Sequence, residues 1–204
     1  MIIKAVLLAA GESTRMGPDN KLLLPLAGKT VLRHMVDTLL AAELDEVIVV
    51  LGHQSHAARA VLAGLPIKVV INTHYQQGQM SSVHAGVSAI EEDCDGILIG
   101  LSDQPLLTVA DIHQLVSGFE QRSQGSIVVP TYQGRRGNPI ILDGAYRHNL
   151  IVGGQNLGCR RLIEKHPEAV TTLAFDQDHV VVDMDTPEAY QVVKQRLECS
   201  SLND

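Results

Sequence analysis

Five short apolar runs alternate with helical patterns, and this alternation is the feature that most constrains the fold of the 204-residue chain. Most of the runs are continuously apolar, as expected for strands that are buried on both faces of a parallel sheet. Parallel neighbours require crossover connections, which the intervening helical segments would supply. The pattern predicts the α/β class, with a doubly wound, mostly parallel sheet and helices on both faces. The runs are IIKAVLLAA (2–10), EVIVVL (46–51), IKVVI (67–71), GILIGL (96–101) and SIVVP (126–130).

The helical segments carry apolar stripes and capping residues. TVLRHMVDTLLAAE (30–43) has its apolar residues on one face and Thr30 as a plausible N-cap. TVADIHQLVSGFEQR (108–122) has the same organisation, with Thr108 as its N-cap. Pro187 favours the first turn of a closing helix at TPEAYQVVKQRLE (186–198). Two further helices are predicted at SHAARAVLAG (55–64) and SSVHAGVSAIEE (81–92).

The regular alternation stops after about residue 131. GRRGNPIILD (134–143) is interpreted as a hairpin arm or an added strand, which makes it a small β-arm insertion. A short helix near 158–166 and strands near 170–174 and 179–182 would follow it. No linker, low-complexity segment or internal repeat divides the chain, so we expect a single domain over residues 1–204.

Composition and charge disfavour several classes of partner. Aromatic residues make up 3% of the chain and Trp is absent, so the stacking platforms of single-stranded nucleic-acid binding are missing. The net charge of −7 also disfavours a phosphate backbone, although a local cluster of cations would still bind one small phosphorylated ligand. We expect no nucleic-acid partner and no membrane, because no apolar run approaches the ~18 residues that span a bilayer.

Cysteine usage bears on the compartment. Cys94, Cys159 and Cys199 are widely spaced, form no C-x-x-C pair and follow an N-terminal stretch without the features of a secretion signal. Reduced thiols and a cytoplasmic location are the expectation. Cys159 lies beside two arginines, which would lower the pKa of a thiol, but no base or second thiol is near in sequence and a structural role is favoured.

LLAAGESTRMG (7–17) directly follows the first predicted strand, at the sheet edge where ligands of such folds bind. Its small residues allow close approach to the backbone, and Arg15 and Lys21 provide the charge that a triphosphate requires. The spacing matches neither G-x-x-x-x-G-K-[ST] nor G-x-G-x-x-G, and Glu12 counts mildly against an anion. On the residues alone, a phosphate loop and a plain strand-to-helix turn remain equal alternatives.

Two acidic segments end other predicted strands. Asp103 in GLSDQPLL (100–107) is suited to hold Mg²⁺ on a phosphate, with a turn-forming role as the alternative. In VVVDMDTPEAY (180–190), either Asp183 or Asp185 is a candidate second metal ligand. For Asp185, followed by Thr186 and Pro187, a helix N-cap is an equally good interpretation.

A polar segment and a histidine pair complete the candidates. INTHYQQGQMSSVHAG (71–86) offers Asn72, Gly78, Ser81 and Ser82 for contact with a base or phosphate, Ser82 from a helix N-terminus. His53 and His56 have the spacing of a metal pair, but such a pair at a helix start usually faces solvent.

Taken together, these motifs resemble the MobA-like nucleotidyltransferase superfamily, which has a Rossmann-like fold. LLAAGESTRMGPDNKLLLPL is similar to its signature, L-A-[AG]-G-x-S-x-R-M-G followed by a lysine. Ala10 and the KLLLPL context are similar to molybdenum cofactor cytidylyltransferases, whereas guanylyltransferases more often have Gly-Gly at this point. The remaining motifs of the family occur in its order: GQMSSVHAGV, LSDQPLL, RGNPIIL, LGCRRLI and VVDMDTPEAY.

The resemblance implies roles for individual residues. Lys21, Arg15 and Asp103 would be catalytic, and Asp103 would bind Mg²⁺ with Asp185 as second ligand. Asn138 and Arg160 would contact the acceptor substrate, although some relatives carry His at the position of Asn138. Residues 1–105 would form the nucleotide-binding half and residues 106–204 the acceptor half. The nucleotide-binding set would comprise Leu8, Ala9, Ala10, Gly11, Arg15, Gly17, Lys21, Asn72, Ser82 and Asp103.

The resemblance also implies a reaction. The terminal phosphate of molybdopterin would attack CTP and release pyrophosphate, in molybdenum cofactor biosynthesis, and a molybdenum hydroxylase of the xanthine dehydrogenase or aldehyde oxidoreductase type would receive the product. Two alternatives stay open: a guanylyl or sugar-phosphate nucleotidyltransferase, and a non-catalytic carrier or insertion chaperone of the finished cofactor. An oxidoreductase is the least favoured class, because the dinucleotide fingerprint is missing.

Overall fold

A mostly parallel sheet of eight strands forms the centre of the part of the chain that the computed structural model describes, residues 1–16, 20–152 and 159–200. The strand order is β10-β7-β9-β6-β1-β4-β5, with β8 paired to β7, and only β8 and β9 run antiparallel to their neighbours. The strands are β1 (Ile3–Ala9), β4 (Glu46–Leu51), β5 (Lys68–Ile71), β6 (Gly96–Leu101), β7 (Ile127–Tyr132), β8 (Arg135–Arg136), β9 (Ile140–Asp143) and β10 (Val170–Ala174). A separate two-stranded hairpin comprises β2 (Pro25–Leu26) and β3 (Lys29–Thr30).

Helices cover both faces of this sheet. Successive residues of β1 belong to two different apolar clusters, so that Leu7 packs on one face and Val6 and Leu8 on the other. The first cluster includes residues of α1 (Val31–Ala41), α2 (Ser55–Val61), α4 (Val109–Glu120) and α7 (Pro187–Ser200). The second includes residues of α3 (Gln79–Ser88), α5 (Arg147–Val152) and α6 (Cys159–Lys165). The predicted doubly wound α/β architecture is confirmed.

The predicted caps are present at two helices, and the predicted first-turn proline is present at a third. Thr30 accepts a hydrogen bond from the Arg33 amide, and Thr108 and Asp111 form a reciprocal capping box at α4. Pro187 is the first residue of α7. Thr30 and Thr108 each satisfy an amide group that the first helical turn leaves without an intrahelical partner, whereas Pro187 suits the first turn because it has no amide hydrogen to satisfy.

One detail differs from the sequence prediction, and one alternative that the sequence left open is decided by the structure. Residues 179–182 were expected to form a strand, but Asp178–Val181 is a 3₁₀ helix. Its side chains bind to helices instead, Asp178 to Arg196 and His179 to Asp111, and the outer side of β7 is already paired with β10. RGNPIILD contributes an added strand, because β9 inserts antiparallel between β6 and β7 and displaces β7 from direct pairing with β6.

The packing of α3 against β1 sets the position of the candidate site. A Cβ on Gly86 would overlap the side chain of Val6, so α3 lies closer to the sheet than a larger residue allows. This close contact places the N-terminal end of α3 beside the carboxyl end of β1. Within the described residues, no helix combines the length and apolar character needed to cross a bilayer.

Candidate functional site

The loop after β1 forms one wall of a cleft at the carboxyl edge of the sheet. β1 is buried throughout, whereas Gly11 and Glu12 are exposed and Ser13 is half-buried. Ser13 has a φ of 54°, a left-handed conformation that is uncommon outside glycine. Its Oγ is buried without a hydrogen-bond partner among the described residues. A strained residue with an unused polar atom is typical of a loop that is built to contact a ligand.

Lys21 connects this loop to two carboxylates from distant parts of the chain. Asn20 caps the 3₁₀ turn Lys21–Leu23 by accepting a hydrogen bond from the Leu22 amide, which fixes the start of the turn. The Lys21 Nζ then donates to Asp103 Oδ2 at 2.6 Å and to Asp185 Oδ1 at 2.7 Å. Lys21 is only 9% exposed, so its ammonium group depends on these two partners for compensation of its charge.

The charges of this cluster stabilise one another. Burial disfavours the ammonium of Lys21, but the charges and hydrogen bonds of Asp103 and Asp185 outweigh it and raise the pKa of Lys21. Burial likewise opposes the carboxylate of Asp185, but Lys21 and then Arg15 hold the pKa of Asp185 below its usual range. Arg15 itself is largely exposed and donates to Asp185 Oδ2 at 2.8 Å.

The structure shows whether the aspartates of the two acidic segments, 100–107 and 180–190, serve as turn or cap residues. Thr186, not Asp185, caps α7, because Thr186 Oγ1 accepts from the Ala189 amide at 3.2 Å. The carboxylate of Asp185 is thereby available to the cations. The Asp103 side chain accepts a hydrogen bond from Lys21, and the Asp103 backbone carbonyl accepts one from the Met184 amide.

Asp183 lies outside this arrangement. Its Oδ1 accepts from the buried amide of Gln104 at 2.8 Å, and it does not line the cleft. Burial and the charges of Asp103 and Asp185 outweigh that hydrogen bond and raise the pKa of Asp183. Of the two alternating aspartates, Asp185 is therefore the one that meets Lys21.

The donor set can be tested for a divalent cation. Asp103 Oδ1 is buried and has no hydrogen-bond partner among the described residues. A bare carboxylate oxygen beside a second carboxylate suits the hard oxygen coordination of Mg²⁺. No group of three or more His, Cys, Asp or Glu residues that could hold a metal occurs in the described parts of the chain. Proteins usually bind Mg²⁺ through one or two carboxylates, and substrate phosphates complete the coordination shell of the ion. Asp103 and Asp185 fit this arrangement.

The opposite wall of the cleft comes from the segment before α3. Gly78 is the N-cap of α3 with a φ of 99°, and it makes no side-chain cap, so the first amides of the helix remain available to a ligand. Ser82 reaches the cleft from the first turn of this helix. Asn72 stands behind it and donates to Ser81 Oγ at 2.8 Å and Ser82 Oγ at 3.0 Å.

The cleft has a volume of about 440 Å³. Of the residues singled out from the sequence, it is lined by Leu8, Ala10, Gly11, Glu12, Arg15, Lys21, Gly78, Ser82, Asp103 and Asp185. Ala9 and Asn72 are buried and do not line it. Gly17 lies outside the described residues. These nucleotide-binding assignments remain predictions, which the arrangement of the cleft now supports for the lining residues.

The acceptor-side candidates lie elsewhere along the same edge. Asn138 follows β8 and lines a separate cavity of about 660 Å³. Its amide donates to the Val180 carbonyl at 2.8 Å, and the Asn138–Pro139 peptide bond is cis. Arg160 belongs to α6, which contributes Ile163 and Glu164 to this cavity, but its side chain is outside the described part of the structure.

Several cleft residues were not singled out from the sequence, namely Ser13, Tyr75, Gln76, Gln79 and Ser102. Each of these residues lies within a sequence motif from which other residues had been selected. Their position in those motifs is the feature of the sequence that could have identified them. Other candidates lie outside the cleft: His53 packs its ring 6.2 Å from that of Tyr75, and His56 is exposed, as expected. The side chain of Cys159 is not among those described.

The fold and cleft define an α/β protein with a cationic and acidic cluster at the carboxyl edge of its sheet. The chain belongs to the family of MobA-like NTP transferase domains, whose model matches residues 5–170. This membership places it in the nucleotidyltransferase superfamily, as the resemblance in the sequence indicated.

Individual relatives carry different names. The chain is 30% identical to nicotine blue oxidoreductase of Paenarthrobacter nicotinovorans, over 91% of this chain and 93% of that protein. It is 32% identical to the purine catabolism protein PucB of Bacillus subtilis, over 94% and 96% respectively. Among solved structures, Rv0371c of Mycobacterium tuberculosis superposes with a TM-score of 0.83 at 27% identity, covering 96% of this chain and 98% of that one. Rv0371c has also been solved as a complex with manganese.

Proposed function

We propose that this protein is a Mg²⁺-dependent cytidylyltransferase that transfers CMP from CTP to the terminal phosphate of molybdopterin or Mo-molybdopterin and releases pyrophosphate. The observation that carries the proposal is the position of the buried Lys21 ammonium between Asp103 and Asp185. This group lies in a cleft that is also lined by Gly11 of the loop after β1 and by Gly78 before α3. Cations and backbone amides that face carboxylates suit a metal-bound polyphosphate rather than an apolar substrate.

The proposed chemistry requires little from protein side chains beyond charge and alignment. An oxygen of the acceptor phosphate forms a bond to the α-phosphorus of CTP, and the bond from that phosphorus to the bridging oxygen of pyrophosphate breaks. An ionised phosphate is already a nucleophile, so no serine, cysteine or general base is needed. Lys21 and Arg15 would neutralise the triphosphate, and the amides of the 10–16 loop and of the start of α3 would orient it.

Asp103 and Asp185 would hold the Mg²⁺ ion. When bound, Mg²⁺ supplies positive charge that stabilises the charge developing on the phosphates. The unpartnered Asp103 Oδ1 supports this assignment, and the manganese complex of Rv0371c is consistent with a divalent cation in this family.

The choice of CTP as nucleotide and of molybdopterin as acceptor is supported by Ala10 and by the cavity beside Asn138. Ala10 lines the cleft, where the guanylyltransferase branch more often has glycine, and it favours cytosine. The division into a nucleotide half (1–105) and an acceptor half (106–204) is consistent with the separate cavity beside Asn138. A guanylyl or sugar-phosphate nucleotidyltransferase would use the same cleft with a different base or acceptor.

The proposed partner is a molybdenum hydroxylase of the xanthine dehydrogenase or aldehyde oxidoreductase type, which would receive the dinucleotide cofactor in the cytoplasm. The name of the Bacillus subtilis relative, a purine catabolism protein, supports this choice, since xanthine is a purine. A non-catalytic carrier that delivers finished cofactor is the competing proposal, and it predicts cofactor binding that is indifferent to Asp103→Ala.

A reductase is the second candidate function. The observation that favours it is the name of the Paenarthrobacter relative, an oxidoreductase at 30% identity over 91% of this chain. The absent dinucleotide fingerprint and the two carboxylates of the cleft weigh against direct nicotinamide chemistry.

The deciding experiment is pyrophosphate release with CTP, GTP, ATP and UTP, each supplied with molybdopterin or Mo-molybdopterin and Mg²⁺. The proposal expects turnover with CTP and loss of turnover in Asp103→Ala. Activity with GTP alone would reject the cytidylyl assignment. A parallel assay of NADH and NADPH oxidation with the same protein covers the reductase, which predicts nicotinamide oxidation without pyrophosphate release.

A further inference from the structure

The two segments that carry the cleft aspartates are hydrogen-bonded to each other. One segment runs from Asp103 to the start of α4, and the other runs from the 3₁₀ helix Asp178–Val181 to Asp185 and α7. The Asp103 carbonyl accepts from the Met184 amide at 2.8 Å. This contact joins the two segments directly beside the carboxylates that are proposed to hold Mg²⁺.

Gln104 joins the segments a second time. It is only 1% exposed, and its Nε2 donates to Asp183 Oδ1 at 2.8 Å and to the Val180 carbonyl at 3.4 Å. A buried amide with two acceptors on the facing segment opposes sliding of one segment along the other, since sliding would leave the amide without partners.

His179 and Asp111 join the segments at the end away from the cleft. His179 Nδ1 donates to Asp111 Oδ2 at 2.9 Å, because an ionised carboxylate only accepts. The same oxygen accepts from the backbone amide and the hydroxyl of Thr108. Burial opposes the charge of Asp111, but the hydrogen bonds from His179 and Thr108 outweigh it and lower the pKa of Asp111.

Two helices fix this far end. Thr108 and Asp111 form the capping box of α4, so the acceptor of His179 belongs to a helix rather than to a loop. On the other side, Arg196 of α7 donates to both carboxylate oxygens of Asp178, the neighbour of His179. The 3₁₀ helix is therefore held between α4 and α7.

We propose that His179 is a positioning residue for the divalent cation, because its hydrogen bond to Asp111 sets how the carboxylates of Asp103 and Asp185 face each other. His179 does not line the cleft, so it acts through the backbone of its segment. Mg²⁺ accepts only a narrow range of ligand geometries, and residues that orient the ligands of a metal control its affinity. This inference rests on the proposed function, in which Asp103 and Asp185 bind the metal.

The first test measures the contact between the segments in the metal-free protein. His179→Ala removes the donor to Asp111, whereas His179→Asn keeps an N–H donor near the position of Nδ1. Amide hydrogen exchange is followed by NMR, and the Ile48 amide of the buried strand β4 reports on global unfolding. Relative to Ile48, the Met184 amide should exchange about tenfold faster in His179→Ala than in the wild type, and His179→Asn should restore most of the protection.

Two variants of α4 serve as controls. His113→Ala removes another histidine of the helix, whose Nε2 contacts the Ala42 carbonyl at 3.3 Å. Ile112→Val removes a buried methyl group from the same helix and lowers stability without removing a hydrogen bond between the segments. Neither variant should change the exchange of Met184 relative to Ile48.

The second test measures metal affinity at a temperature at which every variant is folded. Titration with Mn²⁺, followed by electron paramagnetic resonance, should give a Kd about tenfold higher in His179→Ala and close to the wild-type value in His179→Asn and Ile112→Val. In the pyrophosphate assay, the Mg²⁺ concentration for half-maximal turnover should rise by about the same factor, while kcat at saturating Mg²⁺ changes less than about twofold. A role in stability alone predicts the same Kd in His179→Ala and Ile112→Val.

The outcomes distinguish this inference from the proposed function. A Met184 amide that changes only as much as Ile48 in His179→Ala overturns the inference, and so does an unchanged Mn²⁺ affinity in that variant. Absence of both Mn²⁺ binding and turnover in the wild type contradicts the proposed function instead, and the exchange of Met184 then decides whether His179 holds the two segments together.

Discussion

The ammonium of Lys21 and the carboxylate of Asp185 lie 2.7 Å apart, although 164 residues separate them in sequence. The same ammonium contacts Asp103 at 2.6 Å. One buried cation thus compensates two carboxylates, one that follows strand β6 and one that precedes helix α7. The cluster links the loop after β1, the end of β6 and the start of α7 at one point.

Removal of the Lys21 charge should reduce turnover. Lys21→Met keeps most of the apolar volume and is expected to lower kcat/KM for CTP about 100-fold, since it deletes a preorganised charge at the phosphates. Pyrophosphate release measured across CTP concentrations checks this. Lys29→Met, which removes an exposed lysine paired with Asp37, is the control. Unchanged kcat and KM in Lys21→Met would contradict the phosphate-loop assignment.

The same variant should bind metal ions more tightly. In the wild type, Lys21 occupies an oxygen of Asp103 and an oxygen of Asp185, so a divalent ion must compete with an ammonium for the pair. With the competitor removed, the affinity of the free protein for Mn²⁺ should rise about tenfold, which electron paramagnetic resonance titration measures directly. Equal or weaker Mn²⁺ binding than in Lys29→Met would place the metal elsewhere.

Asp103→Asn should abolish Mg²⁺-dependent turnover and leave the fold intact. The amide keeps the shape of the side chain but loses the charge that Mg²⁺ requires, so a loss of at least about 100-fold in kcat is expected. Pyrophosphate release gives the rate, and circular dichroism gives the folded state. Asp176→Asn changes an exposed aspartate of the same charge and serves as the matched control. Near-normal activity in Asp103→Asn would remove Asp103 from the mechanism.

Protonation of Asp185 at acidic pH should weaken its ion pairs with Lys21 and Arg15 and so lower the stability of the protein. The pKa of Asp185 is lower in the folded protein than its ordinary value of 3.8, so its contribution to stability is present above pH 3.8 and is lost as the pH falls through the depressed pKa. Asp185→Asn should lower the free energy of unfolding by about 1–2 kcal/mol at pH 6, and this difference should shrink towards pH 3. Urea denaturation from pH 3 to pH 7 tests it; a difference that is constant with pH contradicts the linkage.

The close contact between α3 and β1 should tolerate no extra methyl group. Gly86→Ala would place a Cβ onto the side chain of Val6 and is expected to destabilise the protein by about 1–3 kcal/mol. Ser88→Ala, at an exposed position of the same helix, should leave stability nearly unchanged. Chemical denaturation of both variants is the measurement, and equal stability would show that α3 can move away from the sheet.

Much of the fold follows from local sequence patterns. Continuous apolar runs predict β1, β4, β5, β6 and β7, because strands buried on both faces need no polar alternation. Thr30 and Thr108 predict the starts of two helices, since capping depends on neighbouring amides only. The loop at residues 7–17 and its cations were likewise recognisable as a motif.

Only the tertiary structure shows which strands pair with one another and which side chains contact one another. The segment 179–182 has strand-like residues, yet the sheet position beside β7 is occupied by β10 and the segment forms a 3₁₀ helix. Sequence could not distinguish Asp185 as a helix cap from Asp185 as a partner of Lys21; the choice depends on Thr186 capping α7. Local propensity is a property of a few neighbouring residues, whereas an ion pair between residues 164 positions apart exists only when the folded chain brings the loop after β1 to the start of α7.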